Sequence, residues 1–166
     1  MILYAKRGKC TYYIVPFSLS IVGGSIVITG QGGFITSPRF PKNYPHDRSK
    51  VWVVRGPQPG RIRIEFIKFR LEYDAACRYD FVEIREGEVA DSPVVGKFCG
   101  TTLPAVYEST GNMVWIQFRS DPSASDEGFK LQWTWKEGND GDSELDQAVI
   151  GGEFIRKAYL CYLYVY

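Results

Sequence analysis

The chain of 166 residues contains 45% hydrophobic and 15% aromatic residues, which is enough to build one folded domain and excludes an intrinsically disordered protein. Its formal net charge of +1 gives no overall attraction to nucleic acid or to an anionic membrane surface. The only histidine is His46, and no serine or cysteine forms a recognisable nucleophile–base pair with it. We therefore expect a protein without catalytic activity of its own.

Residues 1–31 combine a short basic segment with an apolar run. The basic residues lie between Lys6 and Lys9, and the apolar run that follows is interrupted by Pro16 and by the pair Gly23-Gly24. This order, with small residues after the apolar stretch, is typical of a secretory signal peptide. The pattern predicts a secreted, extracellular protein, and the alternatives are an additional strand or a disordered N-terminal extension.

Residues 32–137 carry the patterns of β-strands. Charged or polar and apolar residues alternate in segments 61–66, 114–118 and 129–135, and turn-forming residues separate these segments. Alternation with period two is typical of a strand with one buried face. No long segment has the periodicity of a helix, so we predict an all-β domain built as an antiparallel β-sandwich.

The composition changes after the strand-rich region. Residues 138–147 form an acidic linker, and residues 148–166 form an apolar, aromatic tail. Glu153 and the pair Arg156-Lys157 interrupt the tail, which is also shorter than the about 20 apolar residues needed to span a bilayer, so we predict no membrane span. The tail is interpreted as the start of a further domain, an alternative C-terminus or an edge strand, and the sequence does not choose among these.

Three carboxylates, Glu72, Asp80 and Asp121, lie in loops between the strand-like segments. A β-sandwich brings such loops together, and converging carboxylates repel one another unless a cation or protons neutralise them. Ca²⁺ accepts about six to eight oxygen ligands in flexible geometry, whereas Mg²⁺ requires a tight octahedron. We therefore predict a calcium site, against the alternatives that these acids are solvated or that Asp121 only caps a turn.

A series of motifs follows one order along residues 32–136. It opens with Gly-Phe-Ile-Thr-Ser-Pro-Arg-Phe-Pro-Lys-Asn-Tyr-Pro at 33–45. It continues through Val51-Trp52, Glu72, Cys77, Tyr79-Asp80-Phe81, Cys99-Gly100, Ser109 to Phe118, Ser120-Asp121 and Gly128-Phe129. This series resembles the CUB domain, an extracellular β-sandwich of jelly-roll type, and several motifs in the family's order make the resemblance specific. The resemblance implies a secreted module that binds other proteins.

The resemblance implies one disulfide bond, between Cys77 and Cys99. Closing a loop of about 20 residues stabilises a fold by roughly 3 kcal/mol in the loop-entropy model. Lys50 occupies the position where many CUB domains have the end of a first disulfide. The CUB domains of platelet-derived growth factors C and D and leading CUB domains of C1r/C1s-type complement proteases share this loss. The pairing of Cys10 and Cys161 stays open.

The resemblance also implies a set of calcium ligands. Glu72, Asp80 and Asp121 match the three acidic ligands of the calcium-binding subset of the family, Ser123 adds a further ligand, and Tyr44 matches a tyrosine that packs beside them. Members of this subset capture a basic side chain of a partner, usually Lys. The resemblance thus implies that Tyr44, Glu72 and Asp121 form the ligand-binding site, in which charge-assisted hydrogen bonds hold the ammonium group.

Two other functions remain as alternatives. Arg61, Arg63, Lys68 and Arg70 place a basic strip along one strand, which favours heparin or another carbohydrate unless the strip is only a solvated strand face. A growth-factor-like or heparin-binding soluble ligand would use this strip. The other alternative is a non-catalytic module of a modular protease.

Overall fold

The computed structural model describes residues 2–6, 9–13 and 18–138, the first two segments as strands only. The chain divides into two compact units, one of Met1–Val15 with Asn139–Tyr166 and one of Pro16–Gly138. In the first unit, β1 (Ile2–Lys6) and β2 (Lys9–Tyr13) pair in antiparallel fashion. The predicted tail 148–166, most of the predicted linker and Cys161 lie outside the described residues.

The second unit is a sandwich of two β-sheets. Its strands are β3 (Ser18–Val22), β4 (Ser25–Thr29), β5 (Gly32–Thr36), β6 (Ser49–Arg55), β7 (Gly60–Arg70), β8 (Phe81–Glu86), β9 (Val94–Phe98), β10 (Tyr107–Glu108), β11 (Met113–Arg119) and β12 (Gly128–Glu137). One sheet has the order β3-β4-β6-β11-β8-β9, and the other has the order β10-β7-β12-β5. The prediction of an all-β sandwich is confirmed, and its described strand pairs are antiparallel except for β4 with β6.

The core between the sheets follows the alternation predicted from the sequence. Ile62 and Ile64 of β7 are at most 1% exposed, as are the inward residues of the two central strands of the sandwich, β11 and β12. These residues are Val114, Ile116, Phe118, Phe129, Leu131 and Trp133. Burying an aliphatic or aromatic side chain of this size contributes about 1.5–3 kcal/mol, so the interleaved core is the main source of stability.

The six-stranded sheet is buried more deeply than one-sided alternation predicts. Trp115 points away from the core on β11, yet it is only 6% exposed, and its neighbour Val53 on β6 is 5% exposed. The guanidinium carbon of Arg85 lies 5.6 Å from the centroid of the Trp115 ring. A cation over an indole face is attracted to it, and the long Arg85 side chain helps to cover the ring.

A β-bulge interrupts β7. Lys130 of β12 pairs with Lys68, whereas the next residue, Leu131, pairs with Phe66, so that Ile67 is the extra residue. A bulge of this kind shifts the alternation of the strand by one position. Lys68 and Arg70 therefore point outward although they differ in parity from Arg61.

Residues 18–29, which belong to the predicted N-terminal segment 1–31, contribute two strands to the sandwich. β3 pairs with β4, and β4 pairs with β6 through residues 26–29, which places Ile28 in the core at 5% exposure. Cleavage of a signal peptide at residue 31 would remove both strands. The boundaries 1–31 and 32–137 stay predictions, as does the signal peptide itself.

The predicted disulfide bond is confirmed. Cys77, in the loop after β7, is bonded to Cys99, just after β9, with their Cα atoms 5.5 Å apart. The bond links the loop between β7 and β8 to the residue that directly follows β9. Within the described part of the chain, no helix is long and apolar enough to cross a membrane.

Candidate metal centre

Three carboxylates meet at one end of the sandwich, and we call them the carboxylate cluster: Glu72, Asp80 and Asp121. Glu72 follows the end of β7, Asp80 directly precedes β8, and Asp121 follows the end of β11. Because β11 and β8 are antiparallel and Arg119 pairs with Phe81, the end of one strand lies beside the start of the other. One oxygen from each carboxylate lies within 4.8 Å of the others. The structure thus brings together the three acidic residues that the sequence predicted.

Tyr44 is hydrogen-bonded to two residues of the cluster, Asp80 and Glu72. Its hydroxyl donates a hydrogen bond to Asp80 Oδ2 at 2.6 Å and accepts one from the backbone N–H of Glu72 at 3.1 Å. Tyr44 is 1% exposed, and its ring packs edge-on against Phe118 with the centroids 5.3 Å apart. Burial and the neighbouring Asp80 raise the pKa of Tyr44, so the hydroxyl remains a donor at neutral pH.

Asp80 is the buried member of the cluster, at 1% exposure. Its Oδ1 accepts a hydrogen bond from the backbone N–H of Asp121 at 2.8 Å, while its Oδ2 accepts from Tyr44. Burial raises the pKa of Asp80, and these two hydrogen bonds partly offset the effect. Asp80 therefore connects the loop after β11 to the loop between β5 and β6, which carries Tyr44 and which we call the opening loop.

Glu72 and Asp121 have opposite electrostatic environments. Burial, followed by the charges of Asp121, Asp80 and Asp74, raises the pKa of Glu72 above 4.5. In contrast, hydrogen bonds from the backbone N–H and the hydroxyl of Ser123, both at 2.8 Å, lower the pKa of Asp121. Both side chains are partly exposed, so they form the accessible rim of the cluster.

One oxygen of the cluster has no partner. Among the described residues, Glu72 Oε2 is buried and forms no hydrogen bond. A buried acceptor without a partner costs about 1–3 kcal/mol, and three close carboxylates add mutual repulsion. All the candidate donors are oxygens, which is the donor type that suits hard cations such as Ca²⁺. The residues present therefore fit a divalent cation of this class.

A fourth carboxylate, which the sequence analysis missed, supports the loop between Glu72 and Asp80. Asp74 accepts hydrogen bonds at 3.0 Å from the backbone N–H groups of Ala76 and Arg78, and it binds the Arg78 guanidinium at 2.7 Å. These bonds hold the pKa of Asp74 well below its usual range. An aspartate that binds the backbone two residues ahead is a recognisable turn signal, and it could have predicted this loop.

Ser120 fixes the position of the loop that carries Asp121. Its hydroxyl donates to the carbonyl of Pro45 at 2.8 Å and accepts from the backbone N–H of Arg48 at 3.0 Å. The backbone N–H of Asp47 donates to the carbonyl of Asp121 at 3.0 Å. The opening loop is thus part of the site and not only a surface connection.

Comparison with known proteins gives consistent matches. The CUB domain family model matches residues 23–133. Bone morphogenetic protein 1 of Xenopus laevis is 42% identical over 106 residues, which is 64% of this chain and 15% of that protein. Human cubilin is 36% identical over 115 residues, which is 68% of this chain and 3% of that protein. The chain thus spans only a small part of the length of these curated relatives.

Two solved structures show the same fold. The CUB1-EGF-CUB2 domains of rat MASP-1 match with a TM-score of 0.63 and 28% identity, covering 73% of this chain and 47% of that one. The MASP-1 CUB2 domain bound to Ca²⁺ matches with a TM-score of 0.60 and 28% identity, covering 68% of this chain and 99% of that one. The calcium is a property of that protein.

These matches agree with the fold and with the disulfide bond. CUB domains are non-catalytic protein-interaction modules of extracellular proteins, and the relatives of this chain include a protease, blastula protease 10 of Paracentrotus lividus, at 42% identity over 63% of this chain and 17% of that protein. The family model alone covers more than half of the 166 residues. The chain therefore belongs to the CUB domain family.

Proposed function

We propose that this chain is a secreted, calcium-dependent protein-interaction module that captures a basic side chain, preferably Lys, of a partner protein. The observation that carries the proposal is the carboxylate cluster, whose oxygens lie within 4.8 Å of one another. Its buried Glu72 Oε2, which has no hydrogen-bond partner among the described residues, supports the same conclusion. A fully solvated carboxylate would have both oxygens accessible to water, whereas this oxygen is buried.

Four residues would hold the cation: Glu72, Asp80, Asp121 and Ser123. Bound Ca²⁺ supplies positive charge that compensates the repulsion among the carboxylates. Tyr44 and the backbone N–H of Asp121 keep both oxygens of Asp80 in place. Ser123 hydrogen-bonds to Asp121 Oδ1, which orients that carboxylate at the exposed edge of the cluster.

The residues differ in their access to a partner. Glu72 and Asp121 are partly exposed, whereas Asp80 and Tyr44 are each 1% exposed. An ammonium group would therefore reach Glu72 and Asp121 directly, through charge-assisted hydrogen bonds. Tyr44 would contribute to binding by holding Asp80 and the backbone of Glu72, without touching the partner.

Calorimetry tests the calcium site. We expect Ca²⁺ to bind chelator-treated protein with a stoichiometry of about one, because one cluster offers enough oxygen ligands for one ion. Asp121→Ala should abolish the binding heat, and Asp91→Ala, an exposed aspartate in the turn before β9, is the matched control. Absence of heat for the unsubstituted protein at millimolar Ca²⁺ would refute the site.

A lysine-rich peptide immobilised at high density tests the capture of a basic side chain. We expect the protein to bind this surface in Ca²⁺ and to dissociate in EDTA, with multivalency raising a modest affinity per contact. The same peptide with acetylated lysines is the control because it keeps the chain and removes the charge. Equal binding to both peptides, or binding that persists in EDTA and in Glu72→Ala, contradicts the mechanism.

A role as an accessory module of a larger protease is a second candidate. Tolloid-like protein 2 of Mus musculus is 44% identical to this chain over 106 residues, and the match covers 10% of that protein. Detection with an antibody raised against residues 18–138 distinguishes the two candidates. A captured natural product whose peptides in mass spectrometry include a protease domain supports the protease context, whereas a product without such a domain supports an interaction module outside a protease.

A further inference from the structure

The exposed side of the four-stranded sheet carries basic residues from two adjacent strands. Arg61 and Arg63 alternate with the buried Ile62 and Ile64 on β7, and the bulge at Ile67 keeps the later basic residues on the same side. β12 adds two lysines that the sequence analysis did not include. The resulting basic face consists of Arg61, Arg63, Lys68, Arg70, Lys130 and Lys136.

Half of this face is compensated by carboxylates. Arg63 pairs with Glu65 and Glu108, and Lys136 also pairs with Glu108 at 2.6 Å. Arg70 pairs with Asp126 at 3.2 Å. In the part of the chain that the structure describes, the ion pairs include none to Arg61, Lys68 or Lys130. The basic face therefore keeps an excess of positive charge.

Lys68 and Lys130 are direct cross-strand partners. Both side chains lie on the outer face of the sheet, where directly opposed residues have Cβ atoms about 4.5–5.5 Å apart. Two like charges at this position destabilise a sheet. An anion bound between them would remove the repulsion.

An exposed aromatic ring lies beside the lysine pair. Phe34 of β5 is 57% exposed, and Lys130 Nζ lies 4.4 Å from the centroid of its ring. Phe34 pairs with Gln132, the next outward residue of β12. An exposed apolar ring with an ammonium group beside it suits a sugar ring that carries sulfates better than it suits a simple anion.

The basic face is also long. Lys130 and Lys136 are six residues apart on β12, which corresponds to about 20 Å at the rise of a strand. Positive charge is therefore distributed along a line, which suits a linear polyanion with repeated charges. We propose that this face binds a sulfated glycosaminoglycan of the heparin class, independently of calcium and of the carboxylate cluster.

The test measures retention of the full chain on immobilised heparin in EDTA. We expect retention at 0.15 M NaCl and elution that shifts to lower salt in the double variant Lys68→Gln/Lys130→Gln. Its affinity for heparin should fall about five- to tenfold, and the dependence of affinity on salt should become shallower, because fewer counterions are released. The matched control is Lys50→Gln/Arg119→Gln, which removes the same charge from two exposed positions on the other sheet.

The possible results of the heparin experiment either support or overturn the proposal. An effect confined to the Lys68/Lys130 variant supports the proposal, provided that its melting temperature is not lowered. Equal losses in both double variants would indicate only an overall charge effect and would overturn it, as would an absence of retention at 0.15 M NaCl. Binding to phosphatidylserine vesicles without binding to heparin would also overturn it, in favour of a membrane surface. Asp121→Ala should leave heparin retention unchanged, so failure of the calcium proposal would remain distinguishable.

Discussion

The carboxylate cluster and the basic face carry opposite charges in very different surroundings. Asp80 is 1% exposed and accepts two hydrogen bonds, and the cluster contains a buried oxygen without a partner among the described residues. On the basic face, the side chains of the Lys136–Glu108 pair are 55% and 45% exposed. Water screens exposed charges strongly and buried charges weakly. We therefore expect burial, and not the number of charges, to decide which region a bound ion would stabilise.

This comparison predicts that ligands act differently at the two regions. A cation at the carboxylate cluster would compensate groups that the fold has already desolvated, so it should be coupled to stability. A polyanion on the basic face would replace water around groups that are already solvated, so its binding should depend on salt and change stability less. The following predictions test this distinction.

Calcium should have the largest effect. At a free concentration of 100 times the dissociation constant, binding to the native state alone stabilises by about 2.7 kcal/mol. Urea unfolding with Ca²⁺ and with EDTA measures the difference, and Glu72→Gln should abolish most of it. Glu127→Gln, an exposed glutamate outside the cluster, is the matched control. Equal calcium stabilisation in the unsubstituted protein and in Glu72→Gln would contradict the role of the cluster.

Loss of one buried hydroxyl should have the next largest effect. Tyr44→Phe keeps the ring against Phe118 but leaves Asp80 Oδ2 and the backbone N–H of Glu72 without their partner. We expect a loss of about 2 kcal/mol in EDTA, since each unsatisfied buried group costs about 1–3 kcal/mol. Tyr73→Phe removes a hydroxyl from a side chain that is 76% exposed and should change nothing. Similar urea midpoints for the two variants would show that the buried hydrogen bonds contribute little.

The pH dependence of the calcium-free protein should reflect the raised pKa of Glu72. Burial and the adjacent carboxylates raise this pKa above 4.5 in the folded state. The protonated side chain therefore contributes stability that is fully present below pH 4.5 and is lost as the pH rises through the folded-state pKa. Asp74 behaves in the opposite way, because Arg78 lowers its pKa below 3.8, and its contribution is lost as the pH falls.

Urea unfolding in EDTA between pH 4.5 and 7 measures this dependence. Glu72→Gln should lose less stability over this interval than the unsubstituted protein, because its amide does not ionise. Calcium should remove the difference in the unsubstituted protein by compensating the charge. Parallel curves for the two proteins in EDTA would show that Glu72 is not desolvated enough to matter.

The sequence predicts the sandwich and the cluster for a simple reason. Both depend on local patterns: the period-two alternation of the strands, and acidic residues such as Glu72 and Asp121 placed just after strand ends. The resemblance to the CUB family added the choice of Glu72, Asp80 and Asp121 among the acidic residues and the pairing of Cys77 with Cys99, and the structure confirms the pairing. Neighbouring strands such as β11 and β8 are antiparallel, so the end of one lies beside the start of the other. Acidic residues placed at these two points in the sequence therefore meet in space.

Other features of the structure depend on which strands are neighbours and in what register, and a local sequence pattern does not predict either. Lys130 joins the basic face only because β12 lies beside β7, and the bulge at Ile67 is visible only in the register between these strands. The parallel pairing of β4 with β6 lies in a segment whose composition is typical of a signal peptide. The burial of Trp115 depends on Arg85 from a neighbouring strand, which alternation along β11 cannot show.

The smallest predicted effect separates folding from binding on the basic face. Lys68→Glu replaces a like-charge cross-strand pair with an opposite-charge pair opposite Lys130, which should stabilise by about 0.3 kcal/mol. This corresponds to a rise in melting temperature of about 1 °C for a domain of this size. The same substitution should weaken heparin binding. A variant that is slightly more stable but binds heparin less well would show that the lysine pair is retained at a cost to stability, whereas a destabilised variant would mean that Lys68 is needed for folding.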